Sequence, residues 1–146
     1  MSFSVDLKRF EGKATGDMRN IIRRVVIDVF SRVILKTPVG QPEIWANPNS
    51  APRGYVGGNA RGSWQFTLDY PAMSDNHRID SSGSLAIGET TAKASAWDCQ
   101  GSAYLVNLAP YIRRLEHGWS HVQSPNGMVR VTLSEFPYIV EQESNA

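Results

Sequence analysis

"TGDMRNIIRRVVIDVFSRVILK", Thr15 to Lys36, is the stretch on which the fold turns. Its apolar residues Met18, Ile21, Ile22, Val25, Val26, Val29, Phe30, Val33 and Ile34 recur at three- and four-residue intervals, which lines their side chains along one side of an α-helix. Thr15 or Asp17 can accept hydrogen bonds from free amides at the start, and Pro38 cannot continue the helix. The spacing therefore predicts a helix over 15–36 after an arm over 1–14. Val26, Phe30 and Ile34 widen the apolar arc beyond one stripe, while Asn20, Arg24, Asp28 and Ser31 hold the opposite side. An arc that wide calls for two partners: a sheet and another helix of the same chain, or a neighbouring subunit over part of it.

Downstream, "VGQPEIWANPNSAPRGYVGGNA" carries Pro42, Pro48 and Pro52 with Gly40, Gly54, Gly57 and Gly58, a composition that sustains neither a helix nor a central strand. It predicts a long loop over 38–62, with Ile44, Trp45 and Tyr55 docked on the domain or a partner. In "SWQFTLDY", Trp64, Phe66 and Leu68 alternate with polar residues, the pattern of a half-buried strand. A helix over Ser84–Trp97, an apolar strand over Ser102–Leu108 and a short helix over Pro110–His117 closed by Gly118 follow. From Val129 the pattern fits helix and strand alike. Helix is the reading chosen, although Pro137 would remove an interior hydrogen bond, with a polar tail over 142–146. Together these elements predict one small α+β domain over 1–146: a long N-terminal amphipathic helix packed on a small antiparallel sheet, plus shorter helices.

Composition narrows the function. A chain of 146 residues, 41% hydrophobic, fits one domain with a core. Fifteen Lys and Arg against fourteen Asp and Glu leave +1, so no global field draws it to nucleic acid or an anionic membrane. Cys99 is the sole cysteine, which excludes an internal disulfide and suits a reducing compartment. The opening "MSFSVDLKRFEGK" lacks the apolar centre of a signal peptide, and no apolar run reaches the roughly 20 residues of a membrane span. A soluble, cytoplasmically made protein is expected.

Candidate chemistry centres on "YIRRLEHGWSHVQSPNGMV", Tyr111 to Val129. His117 and His121 are spaced as two zinc ligands on one helical face would be, beside Glu116. Gly118, Pro125 and Gly127 end the helix where a zinc helix would have to continue, so i and i+4 need not face each other. Polar histidines at a helix end, with Glu116 meeting a backbone amide or an arginine, are the preferred reading, and a small metal-dependent enzyme is the alternative. Cys99, between Asp98 and Gln100, carries no thiol-enzyme signature, and "GSW" at Gly62–Trp64 lacks the second glycine of a serine elbow. "GYVGGNARG", Gly54 to Gly62, matches no phosphate-binding fingerprint. No catalytic residue, metal or cofactor is assigned. Arg53, Arg61 and the pairs Arg23/Arg24 and Arg113/Arg114 could touch nucleic acid by charge alone, a local DNA-contacting module being the further alternative; solvated faces or ion pairs are their default.

"TPVGQPEIW" (Thr37–Trp45), "GYVGGNARGSWQ" (Gly54–Gln65) and "YLVNLAPYIRRLEHGWSHVQSPNGMVRVTL" (Tyr104–Leu133), with the helix before them, resemble the small neck and minor tail proteins of long-tailed bacteriophages, the tail-completion or head–tail joining family. Members read roughly as a helix ending in "TPVDTG", a "G.LR..W" strand and "N..PYA..LE.G.S...P.GMV". The match runs in order from about Val25 to Val140. Gly58, Arg61 and Trp64 take the second pattern. Asn107, Pro110, Tyr111, Leu115, Glu116, Gly118 and Ser120, then Pro125, Gly127, Met128 and Val129, take the third. Ile112 stands where alanine is usual, and the loop after Pro38 is longer than the family's.

The resemblance implies a non-enzymatic virion protein of the neck or head-proximal tail. Assembled in the host cytoplasm, it would form a homo-oligomeric ring, a hexamer among the candidates, that completes or terminates the tail tube and joins it to the head. Its partners would be other copies of itself, adjacent neck and tail-tube proteins and, non-specifically, DNA in the channel. The expected subunit or partner contacts are Phe30, Trp45, Tyr55, Arg61, Trp64, Trp119 and Met128.

Overall fold

The computed structural model describes residues 3–146, with side chains from residue 16 onward. The chain is α+β, with α1 Phe3–Lys36, α2 Asn59–Gly62, β1 Trp64–Leu68, α3 Ser84–Ala96, β2 Ala103–Asn107, α4 Ile112–Glu116, α5 Val129–Ser134 and α6 Phe136–Ser144. The helix expected at Thr15 begins at Phe3, so Asp17 lies inside it rather than capping it. Most of the arm expected over 1–14 is the first part of α1, and its first two residues fall outside the described ones. The tail expected from 142 shortens to Asn145 and Ala146, because α6 continues to Ser144.

Packing around α1 comes from α3, α5 and α6, with Phe30 meeting Phe66 of β1 edge-on at 5.7 Å between ring centroids. The chain's own helices and sheet thus half-bury residues 21–30 and fully bury Val33 and Ile34. Ile34, Phe66, Met128 and Ile139 are sealed from solvent, each burial stabilising by about 1.5–3 kcal/mol. Salt bridges fasten the polar side: Arg32 pairs with Asp28 at 2.7 Å and with Glu135 at 2.5 Å, and Lys36 also pairs with Glu135.

The sheet is one antiparallel pair, Trp64 opposite Asn107 and Leu68 opposite Ala103. The outer edge of β1 is occupied by side chains. Arg78 donates to the carbonyls of Gly62 (2.9 Å) and Trp64 (2.8 Å), and Lys93 donates to that of Phe66 (3.1 Å). Glu89, bonded to both cations, holds them there.

The last segment resolves its ambiguity by breaking. α5 stops at Ser134, Glu135 turns the chain, and α6 starts so that Pro137 falls in its first turn, where a missing N–H costs nothing. The stretch over 38–62 is likewise less irregular than expected. It holds two 3-10 turns, Pro42–Ile44 and Pro48–Ser50, and ends in α2. It folds back on itself: Trp45 packs edge-on against Tyr55 at 5.2 Å, and the Tyr55 hydroxyl lies where a Cβ on Gly40 would be.

Candidate functional site

The segments bearing the sequence patterns converge where α1 ends. Thr37 is the hub: its hydroxyl donates to Val33 O (2.8 Å) and accepts from the Trp64 indole N–H (2.7 Å), both groups being buried. Arg61 reaches the same point from α2. Its guanidinium donates to the carbonyls of Thr37 (3.0 Å), Leu35 (3.0 Å) and Ser81 (2.7 Å). A helix leaves its last carbonyls unpaired and partly negative, so a cation that fills them satisfies both hydrogen bonding and the helix dipole. Burial lowers the Arg61 pKa from its ordinary value, against an opposing pull from Asp80. Asp80 itself, buried, accepts from the Ala86 amide near the start of α3.

The third pattern attaches to this hub at three points. Asn107 donates to Ala60 O (2.7 Å) and accepts from the Ala109 amide, and Tyr111 donates to the Asn59 side chain (2.9 Å). Burial raises the Tyr111 pKa, with Tyr55 and Asp75 adding to the rise. Gln123 pairs with Val39 on both sides, accepting from its N–H at 2.9 Å and donating to its carbonyl at 2.7 Å. That amide-to-backbone pair holds the 118–127 turn on the chain just past Pro38.

Within that turn, α4 closes as a Schellman motif. Gly118 at φ +85° lets its N–H reach Leu115 O and the Trp119 N–H reach Arg114 O. The turn then brings the amides of Met128, Val129 and Arg130, at the start of α5, onto the Glu116 carboxylate at 2.9, 2.9 and 3.0 Å. Arg130 adds a bond from its guanidinium to Glu116 O and an ion pair to the carboxylate at 3.4 Å. Burial pushes the Glu116 carboxyl up, but those three amides and the Arg130 charge outweigh it and hold the pKa below its ordinary value. Gly127, at φ +87°, completes the cradle, because a Cβ there would stand 2.3 Å from Glu116 O.

Both carboxylate oxygens of Glu116 are therefore taken by backbone amides, as expected of a residue that meets amides and an arginine. His117 caps α4 with its own amide, donating to Arg113 O and Arg114 O. His117 and His121 line a shallow depression with Arg113, Arg114, Gly118 and Trp119. Among the described residues, no three His, Cys, Asp or Glu side chains gather as metal ligands would.

The expected contact residues divide. Trp64 and Met128 are buried in the chain's own core with Val33, Ile34 and Leu115, because the edge strand and the Glu116 turn both fold inward onto α1. Arg61 is committed to capping that helix. Trp64 and Met128 are corrected from partner contacts to framework, while Arg61 caps α1 and stays partly exposed. Phe30 is half-buried on Phe66, Trp45 is half-buried on Tyr55, and Tyr55 stays partly exposed. Trp119 is 66% exposed and stacks its ring on the Arg114 guanidinium at 5.2 Å. Of the paired arginines, Arg23 donates to Trp97 O (2.6 Å) and Arg24 to Glu143 O (2.9 Å), while Arg113 and Arg114 make no ion pair among the described residues.

Sequence reasoning missed Asp80, Gln123, Arg78 and Lys93. For Asp80 a signal existed, since an Asp–Ser–Ser–Gly run before an apolar segment is a helix-start pattern. Gln123 carried none. Compared with protein-family models, curated proteins and solved structures, the chain matches none of them.

Proposed function

We propose that this chain is a non-enzymatic structural subunit of a bacteriophage head–tail junction, one copy of a ring that completes or terminates the tail tube and docks the head. The observation that carries this reading is the convergence at the end of α1. The residues that bear the resemblance spend their polar groups on one another, Arg61 on Thr37, Asn107 on Ala60, Tyr111 on Asn59 and Glu116 on the α5 amides. A framework of that kind supports a shape rather than a reaction.

A ring subunit would have surfaces that assembly covers. Large apolar side chains stand exposed around it, among them Tyr70 (80%), Met73 (90%), Val122 (72%), Leu133 and Tyr138. Apolar side chains exposed singly are ordinary on any protein surface, so these residues are groups that assembly would cover and not the ground of the reading. No helix among the described residues is long and apolar enough to cross a membrane.

The test is to look for the chain in purified phage particles by mass spectrometry and to image the neck of particles lacking it. The expected result is its presence in particles, with unjoined heads and tails in its absence. Particles that lack the protein yet join normally would sink the proposal.

A further inference from the structure

The two edges of the sheet differ. Asp69 N–H donates to Ser102 O at 2.8 Å, which continues the ladder past β1 and β2 and sets its alternation. Residues 65 and 67 therefore exchange hydrogen bonds with 106 and 104, while the peptide groups of 64, 66 and 68 in β1 and of 103, 105 and 107 in β2 face away from the pair. On the β1 side, Arg78 and Lys93 fill the outward carbonyls. On the β2 side, no hydrogen bond among the described residues reaches the outward amides and carbonyls of Ala103 and Leu105, and β1 is the one element that runs closely beside the strand.

An edge with free peptide groups is a template for another strand, and proteins usually blunt it with lysine, proline or a bulge. β1 itself carries none of these devices, but Arg78 and Lys93, brought from a loop and from α3, cover its outward carbonyls. β2, "AYLVN", carries no charge, no proline and no bulge.

We propose that the outer edge of β2 pairs with the same edge of a second copy of this chain, antiparallel about a two-fold axis at Leu105. This inference rests on the strand edge alone and not on the neck reading. Pairing would set Ala103 against Asn107 of the partner subunit and Leu105 against Leu105 of the partner subunit, with roughly six interstrand hydrogen bonds in three mutually bonded pairs. On the opposite face, Tyr104 meets Val106 of the partner subunit, an aromatic against a β-branched residue. Charge is complementary too. Exposed Asp69, opposite Ser102, stands at the start of β2; exposed Asp98 precedes the strand in sequence, between Trp97 and Cys99, which bond Arg23 and Arg19 of α1. Exposed Arg113 and Arg114 follow its end, and none of Asp69, Asp98, Arg113 and Arg114 is ion-paired within the described residues. An antiparallel two-fold brings each acidic end toward the basic end of the other copy. The edge is short, so the dimer is weak and concentration-dependent.

The experiment is light scattering or sedimentation over a dilution series of the full chain, with hydrogen exchange read at the amides of 103, 105 and 107. The apparent mass rises with concentration from 16.2 kDa toward twice that value, and those amides become protected in step. Ala103→Pro removes one outward N–H at the first position of the strand, where proline is tolerated. It lowers association about tenfold while circular dichroism and melting show the monomer folded. Asp98→Lys and Arg113→Glu each weaken the dimer, and the double variant restores it. A chain that stays monomeric at the highest concentration overturns the proposal. So does association that leaves the three amides unprotected, or that ignores both Ala103→Pro and the charge exchange.

Discussion

Replacing Glu116 by alanine removes the acceptor for three backbone amides at once. The Met128 amide belongs to a fully buried residue, and a buried donor left unpaired costs about 1–3 kcal/mol. Val129 and Arg130 are exposed and can turn to water, so their loss resembles the removal of a helix cap, about 1 kcal/mol. The sum is about 3 kcal/mol. At about 2–4 °C per kcal/mol for a domain of this length, the melting temperature falls by roughly 9 °C. With a urea m-value of about 2 kcal/mol/M, the midpoint falls by roughly 1.5 M. Glu116→Gln keeps one oxygen, enough for the Met128 and Val129 amides that share Oε2, and turns an NH₂ toward Arg130, so it loses about half as much.

The pH dependence carries a definite sign. Glu116 has a folded pKa below its ordinary value of 4.5, so its stabilisation is complete above that value and fades as pH falls through the folded pKa. The gap between the native chain and Glu116→Ala should therefore close on acidification below about pH 4.5. A loss of less than about 0.5 kcal/mol at neutral pH, or a gap that widens in acid, would refute the reading of Glu116 as the cap of α5.

Other perturbations sort framework from surface. Gly127→Ala forces a Cβ against Glu116 O at a left-handed φ and should cost about 2–4 kcal/mol, whereas Gly88→Ala, inside α3 with nothing within 4 Å, should gain about 0.5–1 kcal/mol; paired denaturation curves compare them directly. Arg61→Lys cannot fork to three carbonyls and should lose about 1–3 kcal/mol by calorimetry, an unchanged melting point arguing that the C-terminal cap of α1 is dispensable. Met128→Ala should cost about 2–5 kcal/mol through the cavity it opens, while Trp119→Ala should move stability by no more than about 0.5 kcal/mol. Equal losses from the two in urea unfolding would contradict the placement of Met128 inside and Trp119 outside.

Periodic patterns carried most of the fold. The three-and-four spacing over 18–34, the alternation of Trp64, Phe66 and Leu68, and Pro110 with Gly118 around α4 each marked an element that formed, β1 and α4 close to their expected bounds and α1 with its expected end. Such patterns are local, because an element's own geometry repeats them. The role of Glu116 was legible for the same reason: Gly118 ended its helix and so argued against a face shared by His117 and His121. The start of α1 was misread, because Thr15 and Asp17 are good caps in isolation and nothing local forbids a helix from running through them. The break at Glu135 was foreshadowed by Pro137, whereas the pairing of that carboxylate with Arg32 and Lys36, distant in sequence, was not.

What the chain determines by itself is thus its elements, their apolar faces and the glycines that end them, since each depends on neighbours a few residues away. Which motif residues turn inward was decided only in three dimensions. Arg61, Trp64 and Met128 look like docking residues along the chain, but Arg61 fills the carbonyls ending α1, and Trp64 and Met128 fill the core beneath it. The same holds for the two strand edges. Nothing in "WQFTL" or "AYLVN" says which is guarded; that follows from Arg78 and Lys93 being carried to β1 by a loop and a helix, a long-range placement that no local periodicity encodes.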